Sequence, residues 1–270
     1  MDPAAYRFRF APSILGPMAS AENTSSINAR APGAPLLSVI IPAFNEEGRL
    51  PHTLRHICEY LAAKEYRSEV IVVDDGSRDR TAQVARGFAS EVRVVVNEVN
   101  RGKGYSVRRG FTEARGEFAL FTDADLSTPI EEFDQFLPLL KDGHDIVFGS
   151  RALPGSRIEV HQPWLREMGG RFFNILVRRA TLPDFHDTQC GFKAFSRRAR
   201  EILIPRQTMD GWSFDLELLY IAKKHGLRLK EQPVRWRNSP DTKVSFVKDA
   251  SKMFREIFKI KRNDRAGMYD

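Results

Sequence analysis

The stretch of sequence that decides the fold runs from Phe118 to Asp125 and reads FALFTDAD. Its first residues form an apolar run of strand length, and two aspartates follow at once. A strand that is apolar throughout is typical of a sheet buried on both faces. The two carboxylates would then lie at the carboxyl end of a central strand, where open α/β sheets bind their ligands.

The alternation of short apolar runs with amphipathic stretches continues on both sides of this segment. It predicts strands at 37–41, 70–73, 92–96, 118–122 and 145–148, and helices at 46–62, 79–89, 103–114 and 130–140. Beyond residue 150 it predicts a strand near 192–195, a helix near 213–225, a strand near 227–237 and a last helix at 245–262. This order predicts an α/β fold with a Rossmann-like, mostly parallel sheet and helices on both faces.

Composition and charge divide the chain into parts. Residues 1–35 are rich in Ala, Pro, Ser and Gly without an amphipathic period, so we expect a disordered leader there. Residues 1–150 carry 17 basic and 21 acidic side chains, whereas residues 151–270 carry 25 and 14. The basic half therefore predicts an anionic partner: nucleic acid, a phosphorylated substrate or an anionic membrane surface.

Several classes of protein are disfavoured by what the sequence lacks. It has no run of 18 apolar residues, so no segment is predicted to span a bilayer. Two cysteines, Cys58 and Cys190, cannot form a disulfide framework and indicate a reducing compartment. The turn after the first strand lacks a Gly-x-Gly-x-x-Gly pattern, and no P-loop occurs, which argues against dehydrogenases and P-loop enzymes. The basic half has no zinc-ligand spacing and no RNA-binding aromatic motif, so we expect no nucleic acid partner.

Acidic pairs follow two of the predicted strands. Asp74 and Asp75 could accept hydrogen bonds from ribose hydroxyls or a base N–H, or they could belong to a turn at Gly76 with Ser77 or Asp79 capping the next helix. The Asp-x-Asp pair after the fourth strand offers hard oxygen ligands, which suit Mg²⁺ or Mn²⁺ bridging phosphates.

Taken in order, five segments between residues 38 and 151 resemble the donor domain of glycosyltransferase family 2. They are VIIPAFNEE, VVDDGSRDRT, NRGKGYSVRRG, FTDADLSTP and FGSR. Two further segments, DTQCGFKAF at 187–195 and FDLELLYIA at 214–222 with Trp212 before it, resemble the dolichyl-phosphate β-glucosyltransferases of that family. Dolichyl-phosphate mannose synthases are near relatives. The resemblance implies a GT-A fold, with 36–150 as the nucleotide-sugar-binding half and 151–244 as the acceptor-binding half of one domain.

The same resemblance implies roles for individual residues. The residues implied in nucleotide binding are Pro42, Ala43, Asn45, Glu46, Asp74 or Asp75, Lys103 and Asp123. Asp125, with Asp123 nearby, would ligate the metal. The residues implied in holding the acceptor phosphate are Arg151, Arg166, Arg171 and Asn174, with Gly170 where the mannose synthases carry serine. Asp123, Asp125, Arg151 and Arg166 would form the catalytic set.

The activity implied is an inverting transfer of glucose from UDP-glucose to a polyprenyl phosphate, giving a β-linked product. The alternative is the corresponding transfer of mannose from GDP-mannose. A phosphate monoester has a second pKa of about 6, so this acceptor is largely dianionic at neutral pH and needs no general base. Arginines suit such an acceptor, because they bind phosphate with charge-assisted, bidentate hydrogen bonds. The oligomeric state stays open.

Two basic segments have the pattern of helices that lie in a lipid interface. In the first, at 245–270, one helical face carries Lys248, Lys252, Arg255, Lys259 and Arg262, and another carries Val247, Ala250, Phe254, Ile257 and Phe258. In the second, arginines 171, 178 and 179 flank apolar side chains at 172–177. Packing of either segment on the core is the open alternative. We therefore expect a peripheral protein on the cytoplasmic face of a membrane.

One further motif is interpreted as a chance match. Residues Gln232–Trp236 read QPVRW and fit the Gln-x-x-Arg-Trp motif of processive polysaccharide synthases, which carry several membrane helices. Here the motif follows Leu227–Lys230, which alternates as a strand does.

Overall fold

The computed structural model describes residues 33–88, 90–160, 181–238 and 246–270, and for 246–254 it describes the backbone alone. The predicted leader up to residue 32, the predicted acceptor residues Arg166, Arg171 and Asn174, and the basic segment 171–179 lie outside the described residues. Within the described part, no helix combines the length and the apolar character that a membrane span requires.

The described strands and helices follow the predicted alternation closely. The strands are β1 (Leu37–Ala43), β2 (Ser68–Asp74), β3 (Val92–Val96), β4 (Phe118–Thr122), β5 (Ile146–Ser150), β6 (Arg157–Val160), β7 (Phe192–Ser196), β8 (Leu229–Pro233) and β9 (Arg235–Arg237). The helices are α1 (Leu50–Ala62), α2 (Thr81–Arg86), α3 (Lys103–Glu113), α4 (Phe133–Lys141), α5 (Arg197–Leu203), α6 (Phe214–Lys224) and α7 (Phe246–Arg265). Short 3₁₀ turns precede α4 and follow α5.

The described strands form one large sheet and one small one. The large sheet has the order β3-β2-β1-β4-β7-β5-β8, and β6 pairs with β9 separately. Every pair in the large sheet is parallel except those of β7, which runs antiparallel to both β4 and β5. The mostly parallel sheet is thus confirmed. The direction of β7 could not be predicted, because a strand buried on both faces has the same apolar pattern in either direction.

Helices cover both faces of the sheet, as predicted. In β1 the side chain of Ile40 packs in one apolar cluster, with Val107 and Phe111 of α3. Its neighbours Val39 and Ile41 point to the opposite face and pack in a second cluster, which includes α1. The apolar side chains of one strand therefore contribute to two cores.

Two sequence-based expectations for the second half were wrong. The strand expected at 227–237 is divided at Val234: β8 pairs with β5, whereas β9 pairs with β6. Helix α5 was not expected, since its seven residues are too few to establish an apolar period. The Ser196 hydroxyl caps α5 by accepting a hydrogen bond from the Ala199 N–H at 3.0 Å.

The last helix packs on the core along one side. Ile257 and Ile260 of α7 are buried in the cluster that contains α3 and α6, whereas Phe258 is 61% exposed. The sequence pattern had placed Ile257 beside Phe258 on one outward apolar face. The structure separates these two residues, because adjacent residues lie about 100° apart around a helix: Ile257 faces the core and Phe258 points outward.

Candidate active site

The loops that carry the predicted site residues meet at one edge of the large sheet. Because β1, β2, β4 and β5 run in the same direction, the residues that follow them lie at this edge. The antiparallel β7 begins there, with Phe192 beside Thr122. Strand β8 ends there, with Pro233 beside Ser150. Residues far apart in sequence are thereby brought together.

Asp123, the first residue after β4, lies against two other segments. The Lys103 Nζ at the start of α3 lies 2.5 Å from Asp123 Oδ1. On its other side Asp123 contacts Gly191, where a Cβ atom would lie only 2.0 Å from Asp123 Oδ2. Burial, the largest effect, lowers the pKa of Lys103, but the charge and hydrogen bond of Asp123 together with the charges of Asp215 and Asp125 raise it, and the net shift is upward. Lys103 is therefore a cation at the carboxylate that the sequence predicts to bind the donor.

Asp125 is the second carboxylate of the same turn. Its Oδ1 accepts a hydrogen bond from the Ser127 N–H at 3.0 Å, and its Oδ2 lies 4.0 Å from Arg49 Nη1. Burial, followed by the charge of Asp123, raises the pKa of Asp125. A bound cation would relieve both effects.

The residues of this turn fit a divalent cation. Mg²⁺ is usually bound by one or two carboxylates together with substrate phosphates and water. The turn supplies two carboxylates, and among the described residues no group of three or more His, Cys, Asp or Glu side chains forms a metal cage. The two carboxylates therefore fit a metal whose remaining ligands come from substrate phosphates and water.

The loop after β1 reaches the same turn through an arginine. Pro42 and Ala43 are buried, and Asn45 has a positive φ of 55°. The Glu46 carboxylate binds Arg49 at 2.7 and 2.8 Å, and Arg49 in turn lies near Asp125. The predicted nucleotide-binding role of these residues remains a prediction.

Asp74 and Asp75 have different surroundings. The Asp75 Oδ1 accepts hydrogen bonds from Asn97 Nδ2 at 2.7 Å and from the Arg101 N–H at 3.0 Å, and its Oδ2 accepts one from the Gly102 N–H at 2.8 Å. Asp75 therefore fixes the loop that leads into α3. Asp74 Oδ1 is hydrogen-bonded by Ser77. Gly76 has a φ of 68°, so the turn that the sequence left as an alternative is present.

Arg151, the first residue after β5, is held by Asp187. Its Nε and Nη2 donate to the two Asp187 oxygens at 2.6 and 2.9 Å, and its backbone N–H donates at 3.0 Å. The Arg151 side chain is 31% exposed and that of Asp187 only 2%. Burial alone would lower the pKa of Arg151, but Asp187 raises it, so the guanidinium is a permanent cation at this edge.

A buried ion pair beneath these groups was missed by the sequence reasoning. Lys193 of β7 is fully buried; its Nζ donates to the Cys190 carbonyl at 2.5 Å and lies 3.1 Å from Asp215 Oδ2. The signal was a lysine inside the apolar strand FKAF. Asp187 was missed too, although its segment was recognised. Its role depends on the ion pair with Arg151, which only the folded structure shows.

A polar cleft of about 480 Å³ opens beside Lys103. Its lining residues are Asn100, Arg101, Gly102, Lys103, Thr208, Met209, Asp210, Gly211, Trp212, Glu256 and Lys259. The wall at 208–209 is fixed by the fully buried Glu217, which accepts hydrogen bonds from the Thr208 and Met209 N–H groups. Tyr269 donates to the same carboxylate at 2.7 Å. The last helix and the residues after it therefore help to build the cleft.

Comparisons with known proteins identify a family and several similar chains. The family model of glycosyl transferase family 2 matches residues 38–203. The dolichyl-phosphate beta-glucosyltransferase ALG5D of Trichomonas vaginalis is 37% identical over 77% of this chain and 68% of its own. The dolichyl-phosphate beta-glucosyltransferase of Drosophila melanogaster is 38% identical over 83% of this chain and 74% of its own.

A solved structure extends the similarity to three dimensions. Glucosyl-3-phosphoglycerate synthase from Mycobacterium tuberculosis, crystallised with Mn²⁺, UDP and glucosyl-3-phosphoglycerate, superposes with a TM-score of 0.60. It is 25% identical, and the match covers 87% of this chain and 81% of the synthase. Another crystal of that synthase holds Mn²⁺, UDP-glucose and phosphoglyceric acid.

Proposed function

The chain belongs to glycosyl transferase family 2 and has a GT-A fold, and we propose that it transfers glucose from UDP-glucose to a polyprenyl phosphate of the dolichyl type. One observation carries the proposal. The segment from Asp187 to Gly191 holds Arg151 at 2.6 Å and also lies against Asp123. A cation suited to a phosphate and a carboxylate suited to a nucleotide-sugar donor thus share one supporting segment.

On the donor side, Asp123 and Asp125 would hold the divalent cation, which when bound neutralises the charge that develops on the leaving diphosphate. Lys103 would contribute a second positive charge near that diphosphate. The similarity to a synthase crystallised with Mn²⁺ and UDP-glucose supports a divalent cation and a UDP-sugar donor.

On the acceptor side, Arg151 would hold the phosphate dianion. Its Nε and Nη2 donate to Asp187. Among the described residues none accepts a hydrogen bond from its Nη1, so Nη1 would face the ligand. A phosphate oxygen would attack the anomeric carbon as the carbon–oxygen bond to UDP breaks, and UDP would leave with the electron pair. One displacement of this kind inverts an α-linked donor into a β-linked product. Arg166, Arg171 and Asn174 remain predicted acceptor residues.

The acceptor also requires access to a membrane surface, and we propose that α7 supplies part of it. Phe258 is exposed on α7, and Arg255, Lys259 and Arg262 are exposed beside it. Each basic residue near an anionic leaflet contributes about 1 kcal/mol. The proposed location is the cytoplasmic face of a membrane, with the protein bound peripherally.

A donor screen tests the reaction. The full chain is incubated with a short prenyl phosphate, Mg²⁺ or Mn²⁺, and either UDP-glucose or GDP-mannose, and the products are identified by mass spectrometry. We expect a prenyl-phosphate hexose from UDP-glucose, lost on addition of EDTA, restored by the metal and absent in Asp125→Ala. Asp142→Ala is the matched control for expression and handling, because this side chain is 73% exposed and precedes β5, at the opposite edge of the sheet. Product from GDP-mannose alone would replace the glucosyl proposal with the mannosyl one, and full activity in EDTA would refute the metal assignment.

A further inference from the structure

The segment Gln232–Trp236, which the sequence analysis interpreted as a chance match, lies between the two sides of the proposed site. Strand β8 ends at Pro233, directly beside Ser150 of β5. The chain then leaves the large sheet, and β9 pairs with β6, with Trp236 opposite Ile158. The residue after Ser150 is Arg151, so the segment passes next to the proposed acceptor arginine.

Strand β9 is tied to the carboxylate turn on one side. The Arg237 N–H donates to the Ser127 carbonyl at 2.7 Å, and the Ser127 N–H donates to Asp125. The Arg235 Nε lies 2.5 Å from the carboxylate of Glu132, which is almost completely buried. These contacts fix the position of β9 relative to the turn that carries Asp125.

On the other side, the same strand contacts Arg151 through Trp236. The Cζ atom of Arg151 lies over the indole ring, 5.5 Å from its centroid. This distance is within the range of cation–π attraction. Asp187 holds one edge of the guanidinium and the Trp236 ring lies against it, so the orientation of the remaining N–H groups is restricted.

We propose that Trp236 is a positioning residue that orients Arg151 toward the acceptor phosphate. This inference rests on the proposed function, in which Arg151 binds that phosphate. A guanidinium presents its N–H donors in a rigid plane, so a bidentate contact with phosphate depends on the tilt of that plane. Asp187 fixes the guanidinium along one edge but permits it to tilt about that edge. The indole face opposes this tilt and keeps water from one side of the cation.

The test compares variants at position 236 in the full chain. Trp236→Leu removes the aromatic face, and Trp236→Phe retains one. Initial rates are measured against a short prenyl phosphate at saturating UDP-glucose, and UDP binding with Mn²⁺ is measured by calorimetry. We expect Trp236→Leu to raise the acceptor KM about three- to thirtyfold, the range that cation–π attraction covers. Trp236→Phe should restore most of the loss, and the dissociation constant for UDP should stay within about twofold.

Two controls separate positioning from a general structural effect. Arg237→Gln changes the neighbouring side chain of the same strand, which is 64% exposed and pairs with Glu159, and it should leave both constants unchanged. In the Arg151→Ala background, Trp236→Leu should cause no additional rise in the acceptor KM, because it acts through Arg151. Trp236→Met replaces the leucine variant if that protein does not fold.

The outcomes distinguish this inference from the function on which it rests. If Arg151→Ala raises the acceptor KM and Trp236→Leu does not, the positioning role is refuted and the proposed acceptor site stands. If Trp236→Leu weakens UDP binding as strongly as it raises the acceptor KM, the residue supports the fold and the inference is refuted. If Arg151→Ala leaves the acceptor KM unchanged, the acceptor assignment itself fails and the inference falls with it.

Discussion

Replacing Asp187 with asparagine should lower the free energy of unfolding at neutral pH, and the loss should shrink in acid. Burial alone raises the pKa of the Asp187 carboxyl, but the charge of Arg151 and the hydrogen bonds from Arg151 and Gln189 lower it to about 2, from an ordinary value of 3.8. A depressed pKa means that the ionised form stabilises the fold. That stabilisation is fully present above pH 3.8 and is lost as the pH falls through about 2.

The size of the shift sets the expected magnitude. One pKa unit corresponds to about 1.4 kcal/mol, so the depression at Asp187 is worth about 2 kcal/mol. Breaking a fully buried ion pair costs more, about 3–5 kcal/mol. We expect the smaller figure, because Arg151 is 31% exposed and water can hydrate it once the carboxylate is gone. Asparagine has the same shape as aspartate, so the substitution creates no cavity.

Urea unfolding followed by circular dichroism between pH 3 and pH 8 measures this effect. The difference between the wild type and Asp187→Asn should be about 2 kcal/mol above pH 5 and about half of that at pH 3. Asp184→Asn is the matched control, since that side chain is 65% exposed and pairs with Lys223 at the surface. An exposed pair of this kind contributes at most about 1 kcal/mol. A difference for Asp187→Asn that is the same at pH 3 and pH 7 would refute the reasoning.

Three shorter predictions follow from other contacts. Gly191→Ala would place a Cβ atom 2.0 Å from Asp123 Oδ2. It should therefore lower turnover and UDP binding at least tenfold, with little change in thermal stability. Gly48→Ala is the control, because its Cβ would meet no atom within 4 Å. Tyr269→Phe should lower the free energy of unfolding by about 1–2 kcal/mol, because buried Glu217 loses a donor. Urea titration should show a smaller effect for Tyr220→Phe, whose hydroxyl binds the more accessible Asp264. Replacing Lys252, Arg255 and Arg262 with Glu should release the protein from anionic vesicles in co-sedimentation assays. The same change should lower the rate with a long-chain prenyl phosphate in vesicles and spare the rate with a short soluble one; equal loss on the two acceptors would contradict a membrane role for α7.

The first half of the fold could be predicted from the sequence because its periodicity is local. The predicted strands at 92–96 and 118–122 coincide with β3 and β4, since each is an apolar run bounded by polar turns. The second half was less predictable because its elements are short or depend on distant partners. Strand β9 has three residues, and nothing in the sequence separates it from β8 before β6 is known to be its partner.

The candidate site shows the same division between local and long-range information. Asp123 and Asp125 were found because strand ends are where α/β sheets carry their chemistry, whereas Arg151 was found through the resemblance of its segment FGSR to the family. Asp187 and Trp236 were not found, since each acquires its meaning only through Arg151, which lies far away in sequence. The motif QPVRW was judged on its letters alone. Its contacts with Glu132, Ser127 and Arg151 could be recognised only in three dimensions.

The antiparallel direction of β7 explains how one short segment can support both sides of the proposed site. Phe192, the first residue of β7, lies beside Thr122, the last residue of β4. If β7 ran parallel to β4, its first residue would lie at the opposite edge of the sheet, about 13–17 Å away for a strand of this length. Gly191 would then not contact Asp123, and Asp187 would not reach Arg151. The sequence could not predict the direction of β7, yet that direction places one segment against both the carboxylate turn and Arg151. Substitutions between Asp187 and Gly191 should therefore affect donor and acceptor binding together.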